Sequence, residues 1–182
     1  MNKNRGRIAA ALSALALACG ITIAAAPAAQ ADAFPAVTFR MQTATNGQCL
    51  TVDTSGLPGR APCSLLNLRQ QWTWNALTEQ LVNVGTLQCL KYTREEILDE
   101  NDEVIRVDFY GADMVTCSAT AADQKWQRYP DENFSTRWYV SPSGEENFSL
   151  RHSGVATGVG VESIFSLGGP NQAPYQWTFT LV

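Results

Sequence analysis

The stretch 48–72 runs Gln48-Cys49-Leu50, then Cys63, then Gln70-Gln71-Trp72, and the same order returns over 88–126 as Gln88-Cys89-Leu90, Cys117 and Gln124-Lys125-Trp126. In both copies the second cysteine lies nine residues before the tryptophan. Each Cys-Leu follows a hairpin signal, strong at Thr45-Asn46-Gly47 and weaker at Val84-Gly85-Thr86. A third tryptophan, in Tyr175-Gln176-Trp177, falls 51 residues after Trp126, against 54 between Trp72 and Trp126. A period of this size marks a repeat architecture. It divides the chain into units of approximately 36–76, 77–129 and 130–182.

The third unit is worn. Its hairpin is expected at Trp138-Tyr139-Val140, a turn over 141–144, then Phe148-Ser149-Leu150. Aligning Leu150 with Leu50 and Leu90 puts Ser149 at the first cysteine position, and counting back from Trp177 puts Gly168 at the second. Both cysteines are gone together, as a bridge lost whole would be. Repeat logic therefore pairs Cys49 with Cys63 and Cys89 with Cys117, one bridge inside each of the first two units. Each closure should contribute about 3 to 4 kcal/mol in the chain-entropy picture. The strand signals are short, separated by Gly, Pro, Asn and Asp, and long helical periodicity is missing, so the fold class is all-β.

The first thirty-odd residues read differently. Lys3, Arg5 and Arg7 precede an apolar run over 8–26, and Ala29-Gln30-Ala31 offers a small-residue exit. This matches a cleaved signal peptide over 1–33, with cleavage after Ala31 or Ala33. A membrane anchor is the competing reading, disfavoured by Pro27 and the small-residue exit. A single domain over 34–182, secreted and not membrane-spanning after cleavage, is expected. The whole chain has 182 residues, five cysteines and a formal net charge of -4. Removing the leader takes away three cations and Cys19, leaving four cysteines and 10 Lys and Arg against 17 or 16 acids. An acidic mature chain excludes non-specific nucleic-acid binding, which needs a basic surface.

Three Gln-x-Trp-like units, with Cys-Leu after a hairpin and a cysteine before the Gln-x-Trp, resemble the ricin B-type lectin family over roughly 36–182. The resemblance implies a β-trefoil: three repeats, twelve strands and a pseudo-threefold axis. It also implies carbohydrate binding without enzymatic activity, cofactor or metal. Trp72, Trp126 and Trp177 are then core residues, each burying a large apolar area, and the adjacent glutamine amides satisfy turn backbone groups. Sugar pockets of the family use an aspartate soon after Cys-Leu, an aromatic just before the second cysteine and an Asn beside the Gln-x-Trp. Here Thr51, Lys91 and Arg151 follow the three leucines. Ala61-Pro62 and Val115-Thr116 precede the second cysteines, and Arg69 and Asp123 stand beside the glutamines. The usual pockets are degenerate. Asp53, Asp123 and Gln124 are the remaining polar candidates for ligand contact, against a plainer role in turn capping.

Cys89 and Cys117 are 28 positions apart, where Cys49 and Cys63 are 14. Six of the nine residues over 95–103 are acidic: Glu95, Glu96, Asp99, Glu100, Asp102 and Glu103. A projecting acidic loop held by the disulfide at its base is expected over 93–113. It could be mere solvated insertion. It could instead contact a basic protein partner, making the chain a protein-interaction module: an adaptor of a secreted complex or a protease inhibitor presenting Arg94 or Arg106. An EF-hand calcium loop does not fit the spacing. Catalytic motifs are missing; a Ser-His-Asp site would have to use His152, which reads as a turn-flanking polar residue. Asn133-Phe134-Ser135 and Asn147-Phe148-Ser149 match the glycosylation sequon.

Overall fold

The structure, a computed structural model, describes residues 33–131, 134–145, 147–152, 159–163 and 173–182. Residues 1–32, where a signal peptide is expected, and Gly168, Asn133 and Glu146 lie outside the described residues. Twelve strands are described, four from each unit. Unit one supplies β1 (Phe39–Thr43), β2 (Cys49–Val52), β3 (Pro58–Ala61) and β4 (Trp72–Asn75). Unit two supplies β5 (Gln80–Asn83), β6 (Cys89–Leu98), β7 (Val104–Val115) and β8 (Trp126–Asp131). Unit three supplies β9 (Phe134–Pro142), β10 (Phe148–His152), β11 (Val159–Ser163) and β12 (Gln176–Leu181).

The outer strands of every unit close a six-stranded barrel. β1 pairs with β4 and β12, β4 with β5, β8 with β9, and β9 with β12. A bridge between Gln80 and Lys125 joins β5 to the entry of β8 and completes the ring. Closure removes the unpaired edges that an open antiparallel sheet would expose. The inner pairs, β2–β3, β6–β7 and β10–β11, form three hairpins. This is a β-trefoil, and its two disulfides are Cys49–Cys63 and Cys89–Cys117.

The three tryptophans open the last strand of their units or lie one residue inside it, and all are fully buried. Each indole donates to the backbone carbonyl of its own unit's leucine: Trp72 Nε1 to Leu50 O at 3.3 Å, Trp126 to Leu90 O at 2.8 Å, and Trp177 to Leu150 O at 2.8 Å. Leu150 therefore does align with Leu50 and Leu90. At the first cysteine position of unit three, the buried Ser149 hydroxyl donates to Val140 O at 3.1 Å and ties β10 to β9. A hydrogen bond there replaces a covalent bridge.

Two residues after each leucine comes a side chain that packs against the tryptophan region: Val52, Tyr92 and His152. Tyr92 meets Trp126 edge-on at 5.3 Å between centroids, and His152 meets Trp177 in the same way at 5.6 Å. His152 thus corrects the turn-flanking expectation. It sits on β10, 3% exposed, because the repeat puts it at a core position. Opposite the leucines stand Arg60, Met114 and Val161. Arg60 is the polar exception, and burial lowers its pKa from the usual arginine value. Its Nη1 lies 3.4 Å from His152 Nδ1. A guanidinium only donates, so Nδ1 accepts and the imidazole proton is on Nε2, 3.5 Å from Thr45 Oγ1.

Trp126→Phe keeps the ring in the core but strands the buried Leu90 carbonyl. It should cost about 1 to 3 kcal/mol in denaturant unfolding. An unchanged midpoint and slope would show that the indole hydrogen bond contributes nothing.

Candidate functional site

A short 3-10 turn precedes each tryptophan, at Leu68–Gln70, Ala122–Gln124 and Ala173–Tyr175. The turn and the neighbouring hairpin face each other across the positions where the sequence resemblance puts sugar pockets. The glutamine of each Gln-x-Trp holds that geometry. Gln70 Nε2 donates to Pro62 O at 2.9 Å, and Gln70 Oε1 accepts from Ser64 N at 2.7 Å. Gln124 repeats the clasp with Thr116 O at 3.2 Å and Ser118 N at 2.9 Å. Each glutamine therefore grips the backbone on either side of the second cysteine. In unit three Tyr175 takes this place, fully buried, with the Arg151 guanidinium 5.6 Å from its ring centre.

Unit one holds an open cleft of about 470 Å³. Register explains the space. Thr51 on β2 lies beside Gly59 on β3, and Ala61 is the next residue on the same face. Neither Gly59 nor Ala61 offers bulk. Val52, Leu57 and Pro58 add apolar surface, while Asn67 and Arg69 come from the 3-10 turn and its cap. Asn67 Oδ1 accepts from Arg69 N at 3.1 Å, which fixes the start of that turn. Gly85 is needed for a different reason from the one its turn signal suggested. A Cβ there would stand 2.8 Å from the Arg69 backbone nitrogen, so the glycine permits the close approach that seats the turn.

Asp53 lines the cleft, but one carboxylate oxygen is committed to its own loop. Oδ1 accepts from Ser55 N at 2.8 Å and Leu57 N at 2.9 Å, closing the 53–57 turn around Gly56 at φ +83°. Asp123 is elsewhere. Its Oδ2 lies 3.1 Å from Lys91 Nζ, and these two residues occupy in unit two the positions of Arg69 and Thr51 in unit one. Unit two also has Asp113 and Val115 where unit one has Gly59 and Ala61. Gln124 is buried, and its Oε1 further accepts from Gln80 Nε2 at 2.7 Å. The three polar candidates thus do not converge: Asp53 belongs to the open cleft, Asp123 to an ion pair and Gln124 to the scaffold. Beneath that pair, burial pushes the Tyr92 phenol up to about 12, with Asp123 and Glu145 adding to the rise. Its hydroxyl donates to Ala122 O at 2.8 Å.

Thr51, Leu57, Asn67 and the open face of Gly59 and Ala61 were not singled out as a site from the sequence. The available signal was the small residue pair at 59 and 61, read with the strand alternation of a hairpin. Among the described residues no aromatic side chain lines the cleft.

The acidic segment corrects the loop expectation. It is a long β-hairpin: β6 and β7 stay paired from Cys89 and Val115 out to Leu98 and Val104. A bulge between Tyr92 and Thr93 absorbs Gly111 at φ +64° and lets the ladder continue. Only 99–103 turns. There Asp99 Oδ1 accepts from Asn101 N at 2.8 Å and Glu103 N at 2.9 Å, and these bonds hold its carboxyl below the usual carboxylate range. Glu95, Glu96, Glu100, Asp102 and Glu103 are exposed, with Glu96 paired to Arg94. Backbone register puts Glu95 opposite Asp108.

The barrel and the three hairpins define a β-trefoil. Among solved structures, the chain is similar to a ricin B-like lectin of Macrolepiota procera in complex with lactose. The TM-score is 0.60 at 14% identity, over 83% of this chain and 99% of that one. It is also similar to the designed threefold-symmetric protein ThreeFoil, with a TM-score of 0.53 at 14% identity, over 80% of this chain and 99% of that one. A third similarity is to an endo-β-galactosidase from Clostridium perfringens that releases GlcNAcα1-4Gal. The TM-score is 0.57 at 13% identity, with 80% of this chain matched to only 32% of the enzyme. No family model matches the chain, and no curated protein matches it by sequence. Identities this low establish the fold alone.

Proposed function

We propose that the chain is an exported, non-enzymatic carbohydrate-binding module whose saccharide site is the unit-one cleft. The observation that carries this reading is the contrast between units on one scaffold. Unit one keeps an open cleft lined by polar groups together with Leu57 and Pro58. Unit two fills the equivalent positions with the Lys91–Asp123 ion pair. A sugar presents a C–H face and a hydroxyl edge, and a cleft of mixed lining suits both. The similar lectin carrying lactose supports the same reading.

Export rests on the N-terminal signal. Arg128 Nε donates to Ala33 O at 2.7 Å, and Phe34, 4% exposed, packs against Trp74 and Phe179. Cleavage after Ala33 would delete that carbonyl and put a new ammonium beside the guanidinium. This favours cleavage after Ala31.

A second reading is a protein contact through the β6–β7 hairpin. Acidic residues there flank Leu98, Val104 and Ile105, which are 47%, 51% and 64% exposed. Acidic and apolar groups together suit a basic partner with an apolar patch.

Each reading has its own measurement. The secreted protein should bind a glycan array or an insoluble polysaccharide, and Leu57→Glu should weaken binding about tenfold or more while leaving the unfolding midpoint unchanged. Folded protein that captures no glycan would end the carbohydrate reading. Intact mass of the secreted form should correspond to an Asp32 N-terminus; a Phe34 N-terminus would refute the preferred cleavage site. Replacing 94–109 with an Asn-Gly turn between the paired Thr93 and Tyr110 should leave glycan binding intact. It should abolish capture of any basic partner protein, and retained capture would reject the hairpin's role.

A further inference from the structure

The geometry points to an acidic saccharide, a sugar bearing a ring carboxylate, as the ligand class of the unit-one cleft; this rests on the carbohydrate reading above. The argument concerns which polar atoms of the cleft the fold has already used. Arg69 stands where the resemblance implies an asparagine, on the 3-10 turn beside the cleft. Its Nη1 donates to the backbone carbonyl of Asp53 rather than to a carboxylate. Among the described residues its Nε and Nη2 have no bonding partner and its charge has no acid within ion-pair distance. That differs from the equivalent position in unit two, where Asp123 neutralises Lys91 at 3.1 Å.

Held at one nitrogen, the guanidinium keeps an edge with two parallel donors. That edge matches the two oxygens of a carboxylate. The rest of the cleft fits the rest of a uronic acid. Asp53 spends Oδ1 on Ser55 and Leu57, which leaves Oδ2 to accept from sugar hydroxyls. Asn67 spends its oxygen on Arg69 N, which leaves its amide to donate. Thr51 lines the cleft, and Leu57 and Pro58 supply an apolar surface for the C–H face. The sugar carboxylate is assigned to the Nε–Nη2 edge of Arg69, whose Nη1 is bound at the Asp53 backbone carbonyl. A neutral sugar would leave the Arg69 edge unpaired on displacing its water, a loss that favours the acidic ligand.

The test uses the secreted mature protein and calorimetric titration. The probes are short oligomers of galacturonate, glucuronate and mannuronate, each beside its carboxyl-reduced neutral counterpart, and a sulfated oligosaccharide of equal length. At least one acidic oligomer should bind about tenfold or more tightly than its reduced form. Arg69→Gln should remove that preference, Arg69→Lys should restore part of it, and Arg94→Gln on the distant hairpin should change nothing. Equal binding of an acidic oligomer and its reduced form would overturn the proposal while keeping the carbohydrate reading, as would a preference that survives Arg69→Gln. Tightest binding to the sulfated probe would overturn the carboxylate assignment. Failure to bind any acidic oligomer overturns the proposal; if the glycan array is also blank, the carbohydrate reading falls with it. Tryptophan near-ultraviolet circular dichroism on every variant separates lost binding from lost folding.

Discussion

The hydrogen bond from a buried indole to a leucine carbonyl, made once in each unit, is what the rest of the molecule hangs on. It couples the last barrel strand of a unit to the first strand of its hairpin. The indole also brings a large apolar area into the core, and a buried N–H without a partner would be costly. Spacing between leucine and tryptophan can therefore drift, at 22, 36 and 27 residues, while the contact is kept. Insertions are admitted between the two fixed points, and the long hairpin of unit two is one.

Around this fixed frame the units have diverged at the positions that face outward. The glutamine clasp survives in units one and two and is replaced by a buried tyrosine in unit three. The equivalents of Thr51 are Lys91, paired to Asp123, and Arg151, which lies over Tyr175. Long cations stand at this position in units two and three, and a short hydroxyl stands there in unit one, where the cleft lies.

Periodicity made much of this readable in advance. The tryptophans, the cysteine spacing and the Leu150 alignment are one-dimensional signals; they were sufficient for both bridges and carried the resemblance that implied the trefoil. The acidic segment misled because Glu and Asp have low strand propensity, and like charges such as Glu95 and Asp108 disfavour direct pairing. The ladder extends even so, carried outward from the disulfide at its base across the Gly111 bulge. His152 misled because a polar residue near a Ser-Gly reads as a turn, whereas its repeat equivalents, Val52 and Tyr92, mark a core position.

The sequence by itself determined the three units, the all-β class and the pairing of the cysteines, because tryptophans, cysteines and hairpin turns recur at matched intervals, and the trefoil followed from the family resemblance those motifs carry. The sequence could not determine the cleft. That space exists because Thr51, Gly59 and Ala61 share a strand face, while Asn67 and Arg69 arrive from a turn seated against Gly85. Nor could it show that Lys91 meets Asp123, 32 residues apart, or that Arg69 meets the Asp53 backbone carbonyl. Pairings of this kind depend on through-space distance between side chains from different elements, and only the closed barrel and its hairpins set those distances.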